Sequence, residues 1–324
     1  MNFALTDEQK AIQAAVRDLA RAGRAPAMAD LSALGLFGIL APSDVGGAGL
    51  GVLDACLCLE ELAARDPSAA RTVHVHNFGC VAALLAAGSD EQRVRLLPDL
   101  ASGKSLGTLG WTRDGVTARN VPHGAEAAVL LVIGPEGAQV ATGRRHVFGK
   151  PRTLGFRETL PVDISLIDAG IEPLRGDLEG VLSRSNIGLA ALAVGIARGA
   201  LEHACTYATE RHQFGGPIKR FQAIQWKIAD SATLVDAARM LVTRAADLAD
   251  RGRPVAREAA MARTAAVAAA LAATDHAVQI HGGYGYVADF PVERLYRDAR
   301  ACSLTDGTGD EARDCIASSL FGRA

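Results

Sequence analysis

A chain of 324 residues with 49% hydrophobic and 22% charged residues has ordinary globular composition and room for about two domains, which excludes extended disorder. Its 34 Lys and Arg against 36 Asp and Glu leave a formal charge of −2, so no basic surplus is available to neutralise a nucleic-acid backbone. Aromatic residues are only 5% while alanine is abundant, which favours close-packed helices over an all-β sandwich. The stretch from Met1 to Lys10 is polar and lacks the apolar centre of a signal peptide. No uncharged apolar run reaches the ~18 residues of a membrane span, and Ile187 to Ala197 reads as a buried helix. Cys56, Cys58, Cys80, Cys205, Cys302 and Cys315 are too sparse for a disulfide framework. The expectation is structural thiols in a reducing, cytoplasmic setting, with no metal site.

Thr6-Asp7-Glu8-Gln9 spells a capping box, and apolar residues at helical spacing then predict a helix to about Ala22. A Gly-rich turn over Pro42 to Gly51 precedes a helix near Val52 to Ala64. Pro67 interrupts, Ala69 to Ala87 reads as another helix, and Ser89-Asp90-Glu91-Gln92 opens a shorter one ending near Leu100. The pattern then changes. Ala127 to Ile133 and Val162 to Ile167 read as strands, with Pro135-Glu136-Gly137 as a hairpin turn before Gln139-Val140-Ala141. Three long helices follow, over Asn186 to Thr209, Arg220 to Asp250 and Pro254 to Ile280, with Pro254 in a first turn. The predicted domains are a helical unit over 1–103, a small β unit over 104–182 and a helical bundle over 183–324.

The motifs are ambiguous one at a time. Gly283-Tyr284-Gly285-Tyr286-Val287-Ala288 matches G-x-G-x-x-A as text, but a helix precedes it rather than a strand, so a helix end stopped by glycine is the better reading. His74-Val75-His76 has no further ligand at metal spacing. Arg211-His212-Gln213-Phe214-Gly215-Gly216 lies between two long helices, where an Arg fork and open backbone suit a diphosphate, or a capped helix end. Asp306, in Thr305-Asp306-Gly307-Thr308, is either a general base or the N-cap of a last helix over Gly307 to Ser319, the cap being favoured locally.

Taken together, these pieces resemble the acyl-CoA dehydrogenase family. The resemblance runs through LTDEQKAIQAAVRDLA, LGLFGILAPSDVGGAGLGVLDACLCLEELAARDPS and GSDEQRVRLLPDLASGK, then ATERHQFGGPIKRFQAIQWKIAD, VQIHGGYGYVADFPVERLYRDAR and TDGT. It implies a mainly α fold with a helical N-terminal domain, a reduced middle β domain and a C-terminal four-helix bundle. It also implies FAD-dependent α,β-dehydrogenation of an acyl-CoA thioester, with electrons passed to an electron-transfer flavoprotein. Arg211, Gln213, Phe214, Gln222, Gln279, Gly282 and Gly283 match positions that touch a neighbouring subunit's FAD, and Thr308 is counted with them. Asp306 stands where the family carries its glutamate base. A second base position is matched by Ser185, followed by Asn186 in place of an arginine.

Two family stretches that line the flavin ring lack counterparts. Gly110-Trp111-Thr112-Arg113-Asp114 and Gly143-Arg144-Arg145-His146 stand in their places. The resemblance therefore points to the shortened subunit of a heteromeric α2β2 enzyme, completing the FAD site of a full-length partner, with steroid side-chain CoA thioesters as the substrate class. The alternatives are a self-sufficient homo-oligomer using Asp306, and a non-redox scaffold or acyl-CoA binder.

Overall fold

The computed structural model describes residues 4–21 and 25–322; Met1 and Ala22, the expected limit of the first helix, lie outside them. Helix α1 (Asp7–Ala20) starts on the capping box, with Gln9 N donating to Thr6 Oγ1 and Thr6 N donating to Gln9 Oε1, both at 3.1 Å. Helices α2 (Met28–Ala33) and α3 (Val52–Ala63) follow. Pro67 does not end a helix but begins α4 (Pro67–His74), because its missing N–H is not needed in the first turn and Asp66 caps that turn through Ala69 N. The single helix expected over Ala69 to Ala87 is instead α4, a π-helical stretch Val75–Val81, and α5 (Ala82–Ala87). Ser89 caps α6 (Asp90–Ala101) by the same reciprocal pattern as Thr6.

The middle segment forms two small sheets. Strands β1 (Gly107–Trp111), β3 (Val129–Gly134), β4 (Gly137–Thr142) and β7 (Gly170–Pro173) make one, in the order β1-β3-β4-β7. The other joins β2 (Thr117–Val121), β6 (Val162–Ser165) and β5 (His146–Gly149), antiparallel throughout. Strand β3 explains its own continuous apolar run. Val129 and Leu131 pack with Cys80, Val81 and Leu100 under the N-terminal helices, while Leu130 and Val132 meet Ala118, Val121 and Ile164 of the second sheet. A strand covered on both faces needs no polar alternation. Pro135 and Glu136 form the β3–β4 turn, with Gly137 at φ +94°. Strands β1, β2, β5 and β7 have no such run, being short and rich in glycine or charge.

Helix α7 (Leu178–Glu210) begins before the expected boundary, because Asp177 caps it through Gly180 N at 2.8 Å. After a two-residue ribbon, β8 (His212–Gln213) with β9 (Gly216–Pro217), come α8 (Gln222–Asp250), α9 (Ala256–His281), α10 (Val292–Cys302) and α11 (Gly309–Phe321). Pro254 stands outside α9, ahead of its N-cap Val255. Helix α7 is long and apolar enough to cross a membrane, yet most of its apolar window, including Ile187 to Ala197, is packed inside the bundle.

Contact between α3 and α7 depends on two glycines. A Cβ built on Gly195 would stand 2.5 Å from Glu60 O, and one on Gly199 would stand 2.3 Å from Ala64 O. Beside this crossing, the buried carboxylates Glu60 and Glu61 are met by Arg198 of α7, Arg239 of α8 and Arg17 of α1. Gly199→Ala should therefore destabilise the protein by about 1–3 kcal/mol, read as a lower urea midpoint at unchanged slope. On an exposed helix the same change would stabilise by ~1 kcal/mol.

Candidate active site

Asp306 lies in the turn between α10 and α11, at φ +55°, a conformation that Asp tolerates better than most residues. It is not the N-cap of α11. Thr308 holds that position, accepting from Glu311 N at 3.2 Å while its own N donates to Glu311 Oε2 at 2.6 Å. Both oxygens of Asp306 are instead taken by Arg71 of α4. Nη2 donates to Oδ1 at 2.7 Å and Nη1 donates to Oδ2, with the two side chains only 3% and 7% exposed.

Two further groups fix this pair. Arg263 of α9 spends its guanidinium on the turn itself, donating to Thr305 O, Asp306 O and Gly307 O at 2.6–2.8 Å and to Asn186 Oδ1 at 2.7 Å. Arg71 Nη1 also reaches His74 Nδ1 at 2.9 Å. Since a guanidinium only donates, Nδ1 accepts, and the imidazole is neutral with Nε2–H donating to Ser185 O at 2.9 Å. Burial and the neighbouring Arg71 charge push the His74 pKa down to about 4, in keeping with that tautomer. Ser185 and Asn186 thus serve as hydrogen-bond partners, and neither places a carboxylate here.

Burial alone would raise the pKa of Asp306, but the charge and hydrogen bonds of Arg71, helped by Arg263, hold it below the ordinary carboxylate range. A carboxylate so held is a weak proton acceptor. Its contribution to stability is complete above the unfolded carboxyl pKa of ~3.9 and is lost as pH falls through the lower folded value. Removing Arg71 strands a buried carboxylate. Arg71→Met should cost about 3–5 kcal/mol at pH 7, and the variant should gain stability relative to wild type between pH 7 and pH 5 as Asp306 takes up a proton. Urea midpoints at the two pH values test both statements.

A cavity of about 450 Å³ lies against this turn, with Trp111, Ser185, Asn186, Arg263 and Asp306 in its walls. A smaller one of about 190 Å³ opens beside Arg71 and Thr305, walled by Asn120, Pro122 and residues 153–156. Gly143-Arg144-Arg145-His146, expected at the flavin ring, borders neither cavity. It forms the β4–β5 connection, where Arg145 donates to Ala127 O. Asp114 is absorbed by its own turn, accepting from Val116 N, Thr117 N and the Thr112 and Thr117 hydroxyls.

Four of the other predicted residues gather at the far end of the bundle. Arg211, Gln213, Gly282 and Gly283 line one groove of about 450 Å³ with Tyr207, His281 and Tyr284. Arg211 stands over the Tyr284 ring at 5.8 Å and pairs with no carboxylate among the described residues. A Cβ on Gly282 or Gly283 would meet nothing within 4 Å, and Gly282 has φ +58°. This is open backbone beside a free guanidinium fork, which fits a dinucleotide pyrophosphate. Phe214 is 87% exposed, touches the ring of Phe221 edge-on at 6.1 Å, and so lies beside the start of α8 at Gln222. Gln279 is exposed one turn before Gly282, and its carbonyl accepts from Gly282 N. Thr308 is not in this groove. From Arg263 to Gly282 runs most of α9, roughly 28 Å at ~1.5 Å per residue, so groove and Asp306 turn are separate places on the chain.

Sequence reasoning missed Arg71 and Arg263, and weighed His74 only as a metal ligand in His74-Val75-His76, whereas it bonds Arg71 and Ser185 O. The one local signal was charge inside an apolar helix, in Ala69-Ala70-Arg71-Thr72-Val73-His74 and again at Arg263 in the alanine-rich α9.

The acyl-CoA dehydrogenase N-terminal domain model matches residues 6–104 and the C-terminal domain model matches 178–321. An acyl-CoA dehydrogenase of Bacillus subtilis is 33% identical over 375 aligned positions, covering 98% of this chain and 99% of that protein. The alignment is longer than the chain, so this relative carries residues that the chain lacks. The human mitochondrial short-chain specific acyl-CoA dehydrogenase is 33% identical, covering 90% of this chain and 81% of its own. Among solved structures, butyryl-CoA dehydrogenase from Megasphaera elsdenii superimposes with TM-score 0.90 at 27% identity, over 99% of this chain and 100% of that one. A glutaryl-coenzyme A dehydrogenase in complex with glutaryl-CoA gives 0.91 at 26%, over 100% and 98%. The chain belongs to the acyl-CoA dehydrogenase family, FAD-dependent oxidoreductases acting on acyl-CoA.

Proposed function

We propose that this chain is the shortened subunit of a heteromeric acyl-CoA dehydrogenase, completing the FAD site of a full-length partner. The observation that carries this reading is the state of Asp306: the carboxylate at the base position is spent, both oxygens, on buried Arg71. Proton abstraction needs a carboxylate that faces the substrate and holds a usable pKa. The Arg211 groove supports the reading from the other side, being open where the Asp306 turn is closed.

In this role Arg211 grips the pyrophosphate with its planar fork, while the bare backbone at Gly282 and Gly283 lets the dinucleotide approach. Bound FAD supplies the hydride acceptor for the β carbon of the acyl chain, and the partner subunit supplies the base. The complex works in the cytoplasm and passes electrons to an electron-transfer flavoprotein. Resemblance to the heteromeric α2β2 enzymes puts steroid side-chain CoA thioesters first among the acyl groups to try.

Purified alone, the chain should carry an FAD-to-chain ratio near zero by absorption, and co-expression with its partner should restore a full complement. In that complex Arg211→Ala should release FAD. Asp306→Asn should leave turnover per folded complex within about twofold. A loss of ~10²-fold or more, or a ratio near one for the chain alone, would favour the self-sufficient enzyme.

A further inference from the structure

Between β5 and β6 the chain runs as a strap over residues 150–161, and its basic side chains are left over from the site described above. The strap is fixed at several points. Phe156 is buried in the main core, and its N–H donates to Asp298 Oδ1 at 2.7 Å. Leu154 O accepts from Arg297 Nη1 at 2.9 Å, and Thr159 O accepts from His123 N at 2.7 Å. Gly155 lies so close to α10 that a Cβ there would stand 2.6 Å from Arg297 O.

On its outer side the strap walls a groove of about 600 Å³, lined by Lys150, Arg152 and Arg157 together with Pro151, Leu160 and Val162. That volume is within the ~300–1,000 Å³ typical of ligand pockets. None of these three cations has a carboxylate within ion-pair distance among the described residues. The one acid of the strap is turned away, since Glu158 Oε2 accepts from Ser68 Oγ at 2.7 Å on the inner side. Glu126, the single carboxylate in the groove lining, stands 3.5 Å from His123 Nδ1. Arg157 is oriented by its Nε, which donates to Thr153 O at 3.1 Å and leaves both Nη groups unspent. The Thr153 hydroxyl is buried with no hydrogen-bond partner, on the wall shared with the 190 Å³ cavity that Arg300 also lines.

We propose that this groove binds a diphosphate group, free or carried by a nucleotide. Arg152 and Arg157 supply planar donor forks, Lys150 a mobile point charge, and Thr153 an unspent hydroxyl. In a chain of net charge −2, three unpaired cations held on an anchored strap give a local excess that a polyvalent anion neutralises. The site is distinct from the Arg211 groove and independent of the shared-flavin reading, which the FAD content of the co-purified complex tests separately.

Calorimetric titration of the full chain with ADP and with inorganic pyrophosphate, at low and at physiological salt, is the test. Binding should weaken with salt. Arg152→Gln with Arg157→Gln, both exposed and so compatible with folding, should weaken it about tenfold or more. Arg313→Gln, an exposed cation on α11 outside both grooves, should leave it unchanged. Equal binding of both probes assigns the site to the free anion, and binding of ADP alone assigns it to a nucleotide. Failure of both probes to bind, or indifference to the double substitution, would overturn the proposal.

Discussion

The pair formed by Arg71 and Asp306 is neutral as a unit and almost without solvent, so neither member can change alone without exposing a bare charge to a low-dielectric interior. Much of the surrounding architecture serves that condition. Arg263 caps three carbonyls of a turn that would otherwise bury them unpaired, and His74 is held neutral so that it accepts rather than opposes Arg71. Ser185 receives the other imidazole nitrogen. Helix α4, helix α7, helix α9 and the α10–α11 turn therefore meet at one polar knot. The same knot that unites the N-terminal helices with the bundle occupies both oxygens of Asp306.

The two ends of α9 divide the chain's assignments. Its first turns, with Arg263, face the polar knot; its last residues, with Gly282 and Gly283 beyond them, face the open groove beside Arg211. A rigid helix between them means that a change at one end reaches the other only through the bundle. The closed carboxylate and the open glycines thus stand at opposite ends of one helix.

Local rules carried the sequence reading wherever structure was local. The capping boxes at Thr6 and Ser89 were legible because cap and partner stand three residues apart, and β3 because seven consecutive apolar residues leave few alternatives. Strands β1, β2, β5 and β7 were not, since short segments with glycine and charge take their strand character from neighbours. The cap of α11 was misplaced by two residues because Asp306 and Thr308 are both good capping types, and only the tertiary pull of Arg71 separates them. That partner lies 235 residues away in sequence. The Arg211 groove could be anticipated only through family resemblance, since an Arg, a Gln and two glycines on separate segments form no local pattern.

Strand β3 sets a limit on how far such a chain can be pared down. Its two faces are covered by different partners, the N-terminal helices on one side and the second sheet on the other. Losing β2 or β6 would leave Leu130 and Val132 bare on a short β-rich ribbon, the composition that recruits other chains edge to edge. The second sheet is therefore a shield for the apolar face of β3, whatever else the β domain does.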